Sequence, residues 1–320
     1  MGLRTIQPQD WIELDNQYPK YHADKAARIA ERRDKCIMVA PEAAAAAVEL
    51  LEELVSYLPA RYPSLFRRTE NGIDNLWSGE SFDISSLTST GGSSQPTVDQ
   101  GKKALEISAR LIQDDLILMV ERPDGQYYLL AGAALLPGFW RLTQKFGMSL
   151  LELHTSGSVP QYREKLHRGM YNLFRRLKPE QMVGRNNYFI QVDDSLAWSW
   201  SIGPEDGEGE ISWSMAEKNK AVEHHYFRSE RQTLRRLPKT GAVCFTIRTY
   251  FEPITKIAEE EYVPGRLASA VRSWGEDVGR YKGVERYGEV LLEFLDGKHK
   301  EQVQRGLDLG REGECGGYPF

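Results

Sequence analysis

The sequence predicts an α+β fold, in which helices flank a mainly antiparallel sheet. Helical patterns occupy both ends of the 320-residue chain, and strand-like runs joined by turn signals occupy its middle. Pro123-Asp124-Gly125 separates two apolar runs and is typical of a β-hairpin turn. Helices that flank hairpin-linked strands make the class α+β with a mainly antiparallel sheet.

The first 82 residues are expected to form a helical N-terminal region packed on the core. Residues 24–33 are charged and contain no helix breaker, and Pro41 can begin a second helix over residues 42–58. Residues 83–102 are rich in Ser, Thr and Gly, with Gly91-Gly92-Ser93-Ser94 at their centre. This composition predicts a flexible, exposed loop.

Residues 103–256 are expected to form the core, and residues 257–320 a helical C-terminal region with a tail. The core contains the hairpin, an amphipathic helix over residues 166–177, and strands over residues 188–192, 211–215 and 242–250. Helices are predicted over residues 267–274 and 290–295. The Gly-rich end from residue 310 is expected to be poorly ordered.

The composition argues against nucleic-acid and membrane binding. The net charge is −5 at pH 7, and the basic residues form local clusters rather than a stripe. No apolar run approaches the roughly 20 residues that span a bilayer, and the N-terminus lacks the apolar segment of a signal peptide. Cys36, Cys244 and Cys315 form no disulfide framework, so a reducing, cytoplasmic location is expected.

Several common catalytic motifs are absent from the sequence. It contains no His-Glu-x-x-His, no Gly-x-Ser-x-Gly and no Gly-x-x-x-x-Gly-Lys. Typical zinc hydrolases, α/β-hydrolases and P-loop nucleotide hydrolases are therefore not supported.

Two features are candidates for binding. Four arginines surround the strand-like run 242–247, and a fixed fork of guanidinium donors suits a buried carboxylate or phosphate; these are Arg231, Arg235, Arg236 and Arg248. A solvated basic turn beside an ordinary hairpin explains the same residues.

His154 closes the apolar run 149–153 and opens a polar loop, so its imidazole can enter a pocket or simply form a hydrogen bond at the end of its element. His22 and His299 lie in charged helical surroundings and are expected to be solvated.

Several segments carry a resemblance to a known family. They include residues 57–63, 138–141, 159–162 with His154, and 185–187, and the most specific are residues 230–238 and 245–250. With these segments the chain resembles the haem-dependent oxidative N-demethylase α-subunit-like proteins, especially their fungal branch, over most of its length.

The resemblance implies a PAS-like fold that binds haem b and activates dioxygen to remove a methyl group from a small amine. It implies separate flavin and iron–sulfur components as electron donors. His154 matches the family's axial iron ligand, although residues 155–158 make the following linker longer than usual. Arg231, Arg235, Arg236 and Arg248 become candidates for the haem propionates.

Three other functions remain open from the sequence. A fungal relative could use haem for N-oxidation or dehydration in specialised metabolism. A haem-binding PAS sensor is a different class, although the sequence shows no coiled-coil linker or output domain. A family member that has lost haem is the last alternative.

Overall fold

The computed structural model describes residues 2–88, 95–207 and 211–314. The chain divides into two compact units. The first contains residues 1–157, 161–185 and 231–248, and the second contains residues 158–160, 186–230 and 249–320. The division expected from the sequence, into residues 1–82, 83–102, 103–256 and 257–320, remains a prediction.

Ten strands are present in the described residues: β1 (Arg4–Ile6), β2 (Ile37–Val39), β3 (Phe66–Arg68), β4 (Gly72–Asn75), β5 (Ser81–Asp83), β6 (Asp115–Glu121), β7 (Tyr127–Ala133), β8 (Met182–Gln191), β9 (Tyr226–Arg236) and β10 (Val243–Pro253). The α-helices there are α1 (Tyr18–Cys36), α2 (Ala44–Arg61), α3 (Ser85–Thr88), α4 (Val98–Leu111), α5 (Leu142–Lys145), α6 (Leu150–Ser156), α7 (His167–Arg176), α8 (Ile254–Ile257), α9 (Val263–Arg272), α10 (Glu276–Tyr281) and α11 (Val284–Gln304).

A seven-stranded sheet has the order β1-β8-β9-β10-β6-β7-β2, and a small sheet has the order β3-β4-β5. The pairs β1–β8, β10–β6, β6–β7 and β2–β7 are antiparallel. The predicted α+β class with a mainly antiparallel sheet is thus confirmed. None of the helices in the described part of the chain combines the length and apolarity needed to cross a membrane.

The predicted hairpin is formed by β6 and β7. Gly125 lies in its turn with φ +75°, a left-handed conformation that glycine adopts without steric cost. The Tyr127 hydroxyl donates to Glu121 across the hairpin at 2.9 Å. Seven-residue strands of mostly buried side chains make this hairpin a central part of the first unit.

The N-terminal helices agree with their sequence signals. α2 buries an alanine- and leucine-rich face, and its first residue, Ala44, follows a single turn that begins at Pro41. α4 begins with a capping box between Thr97 and Gln100. Because α4 starts at Val98, the last residues of the predicted 83–102 loop are helical, while the glycine-rich centre of that loop lies outside the described residues.

Three expectations from the sequence differ from the structure. Residues 213–215 form a 3₁₀ turn instead of the predicted strand, and the Ser212 hydroxyl accepts a hydrogen bond from Ser214 N at 3.1 Å. The alternation of Ile211, Trp213 and Met215 is too short to distinguish a strand from a turn.

His22 is not solvated, because its Nε2 lies 2.6 Å from Glu80. The helix predicted over residues 166–177 begins one residue later, at His167, and Leu166 is exposed. The disorder expected beyond residue 314 falls outside the described residues.

The second unit has its own hydrophobic core between α9 and α11. It contains Leu267, Tyr287, Leu291 and Leu295, with the partly buried Trp213 packed against it. Gly283 precedes α11 with φ +74°, and a Cβ atom added there would come within 2.2 Å of the Trp213 ring.

Replacing Gly283 by alanine is therefore expected to destabilise the protein. A left-handed non-glycine residue and the overlap with Trp213 together predict a loss of about 2 kcal/mol or more in the free energy of unfolding. Gly297→Ala is the matched control, since a Cβ at that helical position meets nothing within 4 Å. It should be neutral or stabilising by up to about 1 kcal/mol. Urea denaturation of both variants checks this, and equal stabilities would contradict it.

His225 predicts acid sensitivity. Burial lowers its pKa to about 4. Unfolding restores a pKa near 6.5, so the unfolded state binds more protons between these values and stability falls as pH drops. We expect the free energy of unfolding to fall by about 2 kcal/mol more in the wild type than in His225→Leu between pH 7.5 and 5. Parallel denaturation curves measure this difference. The exposed neighbour gives the control His224→Gln, and identical pH slopes for His225→Leu and wild type would refute the prediction.

Candidate functional site

His154 lies in the last turn of the short helix α6. Ser149 precedes the helix, and its hydroxyl accepts a hydrogen bond from Glu152 N at 3.2 Å while the Glu152 carboxylate accepts one from Ser149 N at 2.7 Å. This reciprocal cap stabilises a helix of only seven residues. The sequence correctly placed His154 where an element ends and a loop begins.

The contacts of the imidazole define its tautomer. His154 Nδ1 lies 2.7 Å from the carbonyl oxygen of Leu150, and since a carbonyl only accepts, Nδ1 must carry the proton. Burial lowers the pKa of His154, and the positive charges of Arg185 and Lys145 lower it further. The ring is therefore neutral near pH 7, with a lone pair on Nε2. A neutral imidazole whose other nitrogen is held by a carbonyl has the form of a metal-ligating histidine.

Tyr162 covers one face of this imidazole. The two rings are stacked with centroids 4.2 Å apart and an angle of 5° between their planes. Tyr162 is buried, and its hydroxyl has no hydrogen-bond partner among the residues that the structure describes. Burial raises the pKa of this hydroxyl to about 12, so it remains protonated and able to donate. Tyr162 was not predicted as a site residue from the sequence, where it belongs only to a resembling segment.

The backbone that carries Tyr162 is irregular. Residues Tyr162–Leu166 form one π-helical turn, which is a rare conformation found often at functional sites. Gln161 and Ser158 both have positive φ angles, +56° and +54°. Non-glycine residues in this region are strained and persist only where the surroundings hold them.

Two cations lie near the imidazole. Lys145 Nζ donates to the Ser156 hydroxyl at 2.8 Å and to Leu153 O at 3.3 Å, and burial lowers its pKa. Arg185 Nε donates to Gln232 Oε1 at 2.7 Å. Both were missed as site residues from the sequence, because their proximity to His154 depends on the packing of β8 and α5 around α6.

Three of the four candidate arginines bind the N-terminal part of the chain. Arg231 pairs with Glu13 at 3.1 Å and also donates to the backbone oxygens of Asp10 and Trp11. Arg235 pairs with Glu53 and lies over the Trp11 ring. Arg248 is fully buried, pairs with Asp15 at 2.7 Å and lies over the Tyr21 ring.

Arg236 has different neighbours. Its guanidinium donates to Leu177 O at 2.7 Å, to the Tyr127 hydroxyl at 3.1 Å and to Phe174 O. Phe174 belongs to the hydrophobic cluster that also contains Leu150 of α6. Arg236 is thus packed in the part of the first unit that holds His154.

Strand alternation explains this separation. Successive side chains of a strand point to opposite faces, so Arg231, Thr233 and Arg235 share one face of β9 while Gln232, Leu234 and Arg236 share the other. Thr233 meets Thr246 of β10 at 2.7 Å, which places Arg248, two residues further along β10, on the first face. Leu234 packs in the cluster with Leu150. The structure therefore brings Arg236 to the His154 face and the other three arginines to the opposite face.

The opposite face carries a buried polar network. Lys25 donates to the backbone oxygens of Ile112 and Asp114, and burial lowers its pKa to about 8. Burial also raises the pKa of the Asp114 carboxyl to about 6. Asp115 accepts hydrogen bonds from the amides of Leu135 and Leu136. These groups tie α1, β6 and the segment after β7 together.

The fold and the site define a class of protein: an α+β chain with a half-buried, neutral histidine whose Nε2 can bind a cofactor. Over residues 2–292, the chain matches the family described as haem-dependent oxidative N-demethylase, alpha subunit-like. The match covers nearly the whole sequence, and the chain belongs to this family. The family name connects the chain with haem and with oxidative N-demethylation.

The residues around His154 fit a haem. In residues 2–88, 95–207 and 211–314, no cluster of three or more His, Cys, Asp or Glu side chains could hold a bare metal ion. A porphyrin supplies four ligands of its own and needs only one imidazole from the protein. His154 offers that imidazole in the required tautomer, and the unpartnered Tyr162 hydroxyl beside it marks a position where a bound group is expected to provide an acceptor.

The cap of α6 gives a prediction for the site. Ser149→Ala removes the hydroxyl that accepts from Glu152 N, and we expect a loss of about 1 kcal/mol in the free energy of unfolding. Ser149→Thr is the matched control, because threonine keeps the hydroxyl and caps nearly as well. Denaturant titration measures both variants. Equal free energies of unfolding for Ser149→Ala and wild type would show that the reciprocal cap does not stabilise α6.

Proposed function

We propose that this protein is a haem-dependent oxygenase that oxidises a small amine or N-methyl substrate with dioxygen. In the proposed reaction one oxygen atom of dioxygen is inserted into a C–H bond of an N-methyl group to give a carbinolamine, and the other is reduced to water with two protons and two electrons from a reductase. The carbinolamine then collapses to the demethylated amine and formaldehyde. Membership of the N-demethylase family supports the reaction class. The single observation that carries the proposed site is the neutral imidazole of His154, with Nδ1 donating to Leu150 O and Nε2 left as the ligand atom.

His154 is proposed as the axial ligand of a haem b. The sequence has no Cys-x-x-Cys, which favours a haem held by ligation and packing rather than by thioether bonds. Bound haem supplies the capacity to bind and activate dioxygen, while the protein supplies orientation and electrostatics. With His154 as its single protein ligand, the haem would keep a coordination position available for dioxygen.

The four arginines predicted from the sequence, Arg231, Arg235, Arg236 and Arg248, cannot all contact the propionates of one haem on His154, and a structural role is proposed for the three that pair with Glu13, Glu53 and Asp15 on the opposite face. Of these four, Arg236 is the one that shares the face of β9 with the His154 cluster. Arg185 is added as a further cation, because its charge acts directly on the imidazole. An arginine offers the planar fork of donors that suits a carboxylate.

Electrons are proposed to come from a separate reductase. Cys36 and Cys244 are both buried and form no disulfide, and two separate thiols provide no set of ligands for an iron–sulfur centre. Buried cysteines outside a disulfide also suit the proposed cytoplasmic location. Within the family, the resemblance of residues 230–238 and 245–250 supports placement in the fungal branch.

The absorption spectrum and the reaction products test this proposal together. The purified protein should show a Soret band, and His154→Ala should lose it or shift it strongly. With a surrogate reductase and N-methylated amines, the wild type should release formaldehyde. We expect release to fall at least about 100-fold in His154→Ala, since losing a direct ligand exceeds the 10- to 100-fold effect typical of outer-shell residues.

His224→Ala is the control, because His224 is exposed and is not among the residues assigned to the site. It should keep both the Soret band and formaldehyde release. An unchanged absorption spectrum of His154→Ala would contradict the assignment of His154 as the axial ligand. A protein that binds haem and carbon monoxide but turns over no amine with any electron donor would favour the sensor class instead.

A further inference from the structure

We propose that Tyr162 is a positioning residue for His154 and that its hydroxyl donates a hydrogen bond to a propionate of the bound haem. The inference rests on the proposed function, because it concerns the orientation of the same imidazole. It adds two roles for Tyr162: its ring fixes the plane of the His154 imidazole, and its hydroxyl binds a carboxylate of the cofactor.

The stack provides a restraint that the hydrogen bond of His154 cannot provide. The contact between Nδ1 and Leu150 O restrains one atom of the ring, but a hydrogen bond tolerates a range of angles, so the ring plane keeps some rotation about the Cβ–Cγ bond. The Tyr162 ring lies 4.2 Å away and within 5° of parallel, so it blocks this rotation on one side. Together the two contacts fix both the tautomer and the plane of the imidazole.

The hydroxyl of Tyr162 is a second observation, independent of the stack, that indicates a ligand. It is buried and has no hydrogen-bond partner in the part of the chain that the structure describes. Buried hydroxyls in native proteins are nearly always paired, because leaving one unpaired is costly. A bound molecule with an acceptor is the expected partner.

The chemistry of a haem limits the choice of acceptor. A haem held by His154 would be bound next to the stacked Tyr162 ring, and the strongest hydrogen-bond acceptors that a haem carries are its two propionate carboxylates. The hydroxyl remains a donor at neutral pH, and a bond from a neutral donor to a carboxylate is among the stronger hydrogen bonds.

The backbone supports a positioning role. The left-handed Gln161 and the π-helical turn Tyr162–Leu166 place the Tyr162 ring on His154, although only seven residues separate the two in the chain. A regular helix continued from α6 would carry residue 162 two turns beyond residue 154 along its axis. The irregular segment instead returns the chain so that the rings face each other.

Two variants separate the ring from the hydroxyl. Tyr162→Phe keeps the stack and removes the donor, whereas Tyr162→Leu removes both. In the ferric cyanide complex, the paramagnetic proton shifts of the haem methyl groups follow the orientation of the axial imidazole plane. We expect Tyr162→Leu to change the order of these methyl shifts and Tyr162→Phe to preserve it. An unchanged order in Tyr162→Leu would overturn the positioning role.

Hemin binding tests the hydroxyl. Tyr162→Phe is expected to raise the hemin dissociation constant about 10-fold or more, as the loss of a charge-assisted hydrogen bond predicts. With hemin dimethyl ester, which lacks the carboxylate charge, the difference between wild type and Tyr162→Phe should shrink to less than about 3-fold. Equal hemin affinities of wild type and Tyr162→Phe would show that the hydroxyl has no haem partner.

His154→Ala separates this proposal from the proposed function. If that variant keeps the wild-type Soret band, the axial assignment fails and the role of Tyr162 fails with it. If the band is lost there but Tyr162→Leu and Tyr162→Phe behave as wild type, only the role of Tyr162 fails. Melting temperatures of all three variants establish that each is folded at the temperature of measurement.

Discussion

The period of two residues along β9 is the constraint on which the rest of the first unit depends. Consecutive side chains of this strand leave on opposite faces, and both faces are buried over most of its length. Arg231 and Arg235 are therefore held against the N-terminal segment, while Arg236 is held against the segment that ends α7. A buried guanidinium without acceptors would be very costly, so each arginine dictates which backbone oxygens and carboxylates must surround it.

The site contrasts with this regular scaffold. His154 and Tyr162 lie on a short capped helix and a π-helical turn, and the chain between them twice adopts a left-handed conformation. Such a segment has little stability of its own and depends on the sheet beneath it. The apolar side chains Leu150 and Phe174 anchor its two ends in one cluster on that sheet. Irregular backbone on a rigid base is a common way to hold a functional side chain in a fixed position.

Local signals explain which parts of the fold could be predicted from the sequence. The hairpin around Gly125 has a strong turn signal, and the helices predicted over residues 24–33, 42–58 and 290–295 overlap α1, α2 and α11, so the α+β class follows from their order. The strand expected over residues 211–215 is wrong because five residues carry too little periodicity. His154 was placed correctly at an element's end. No strand was predicted over residues 226–236, so the face to which each arginine points could be derived from alternation only after the structure showed β9 extending to Arg236.

The stack of Tyr162 on His154 could not be derived in this way. It depends on a change of backbone direction at Ser158 and Gln161, and neither serine nor glutamine predicts a left-handed conformation. The one available signal was that Tyr162 falls in the same resembling segment as His154. The proximity of Arg185 and Lys145 to the imidazole likewise arises from tertiary packing rather than from sequence spacing.

The partner of His154 Nδ1 has an electronic consequence. Leu150 O is a neutral carbonyl, so the imidazole does not gain the anionic character that a carboxylate partner would induce. A ring of this kind pushes less electron density onto a metal, and hydrogen bonding to the axial ligand is one of the factors that tune a haem's reduction potential. An iron held by His154 would therefore be easier to reduce than one whose axial histidine is hydrogen-bonded to a carboxylate, other things being equal.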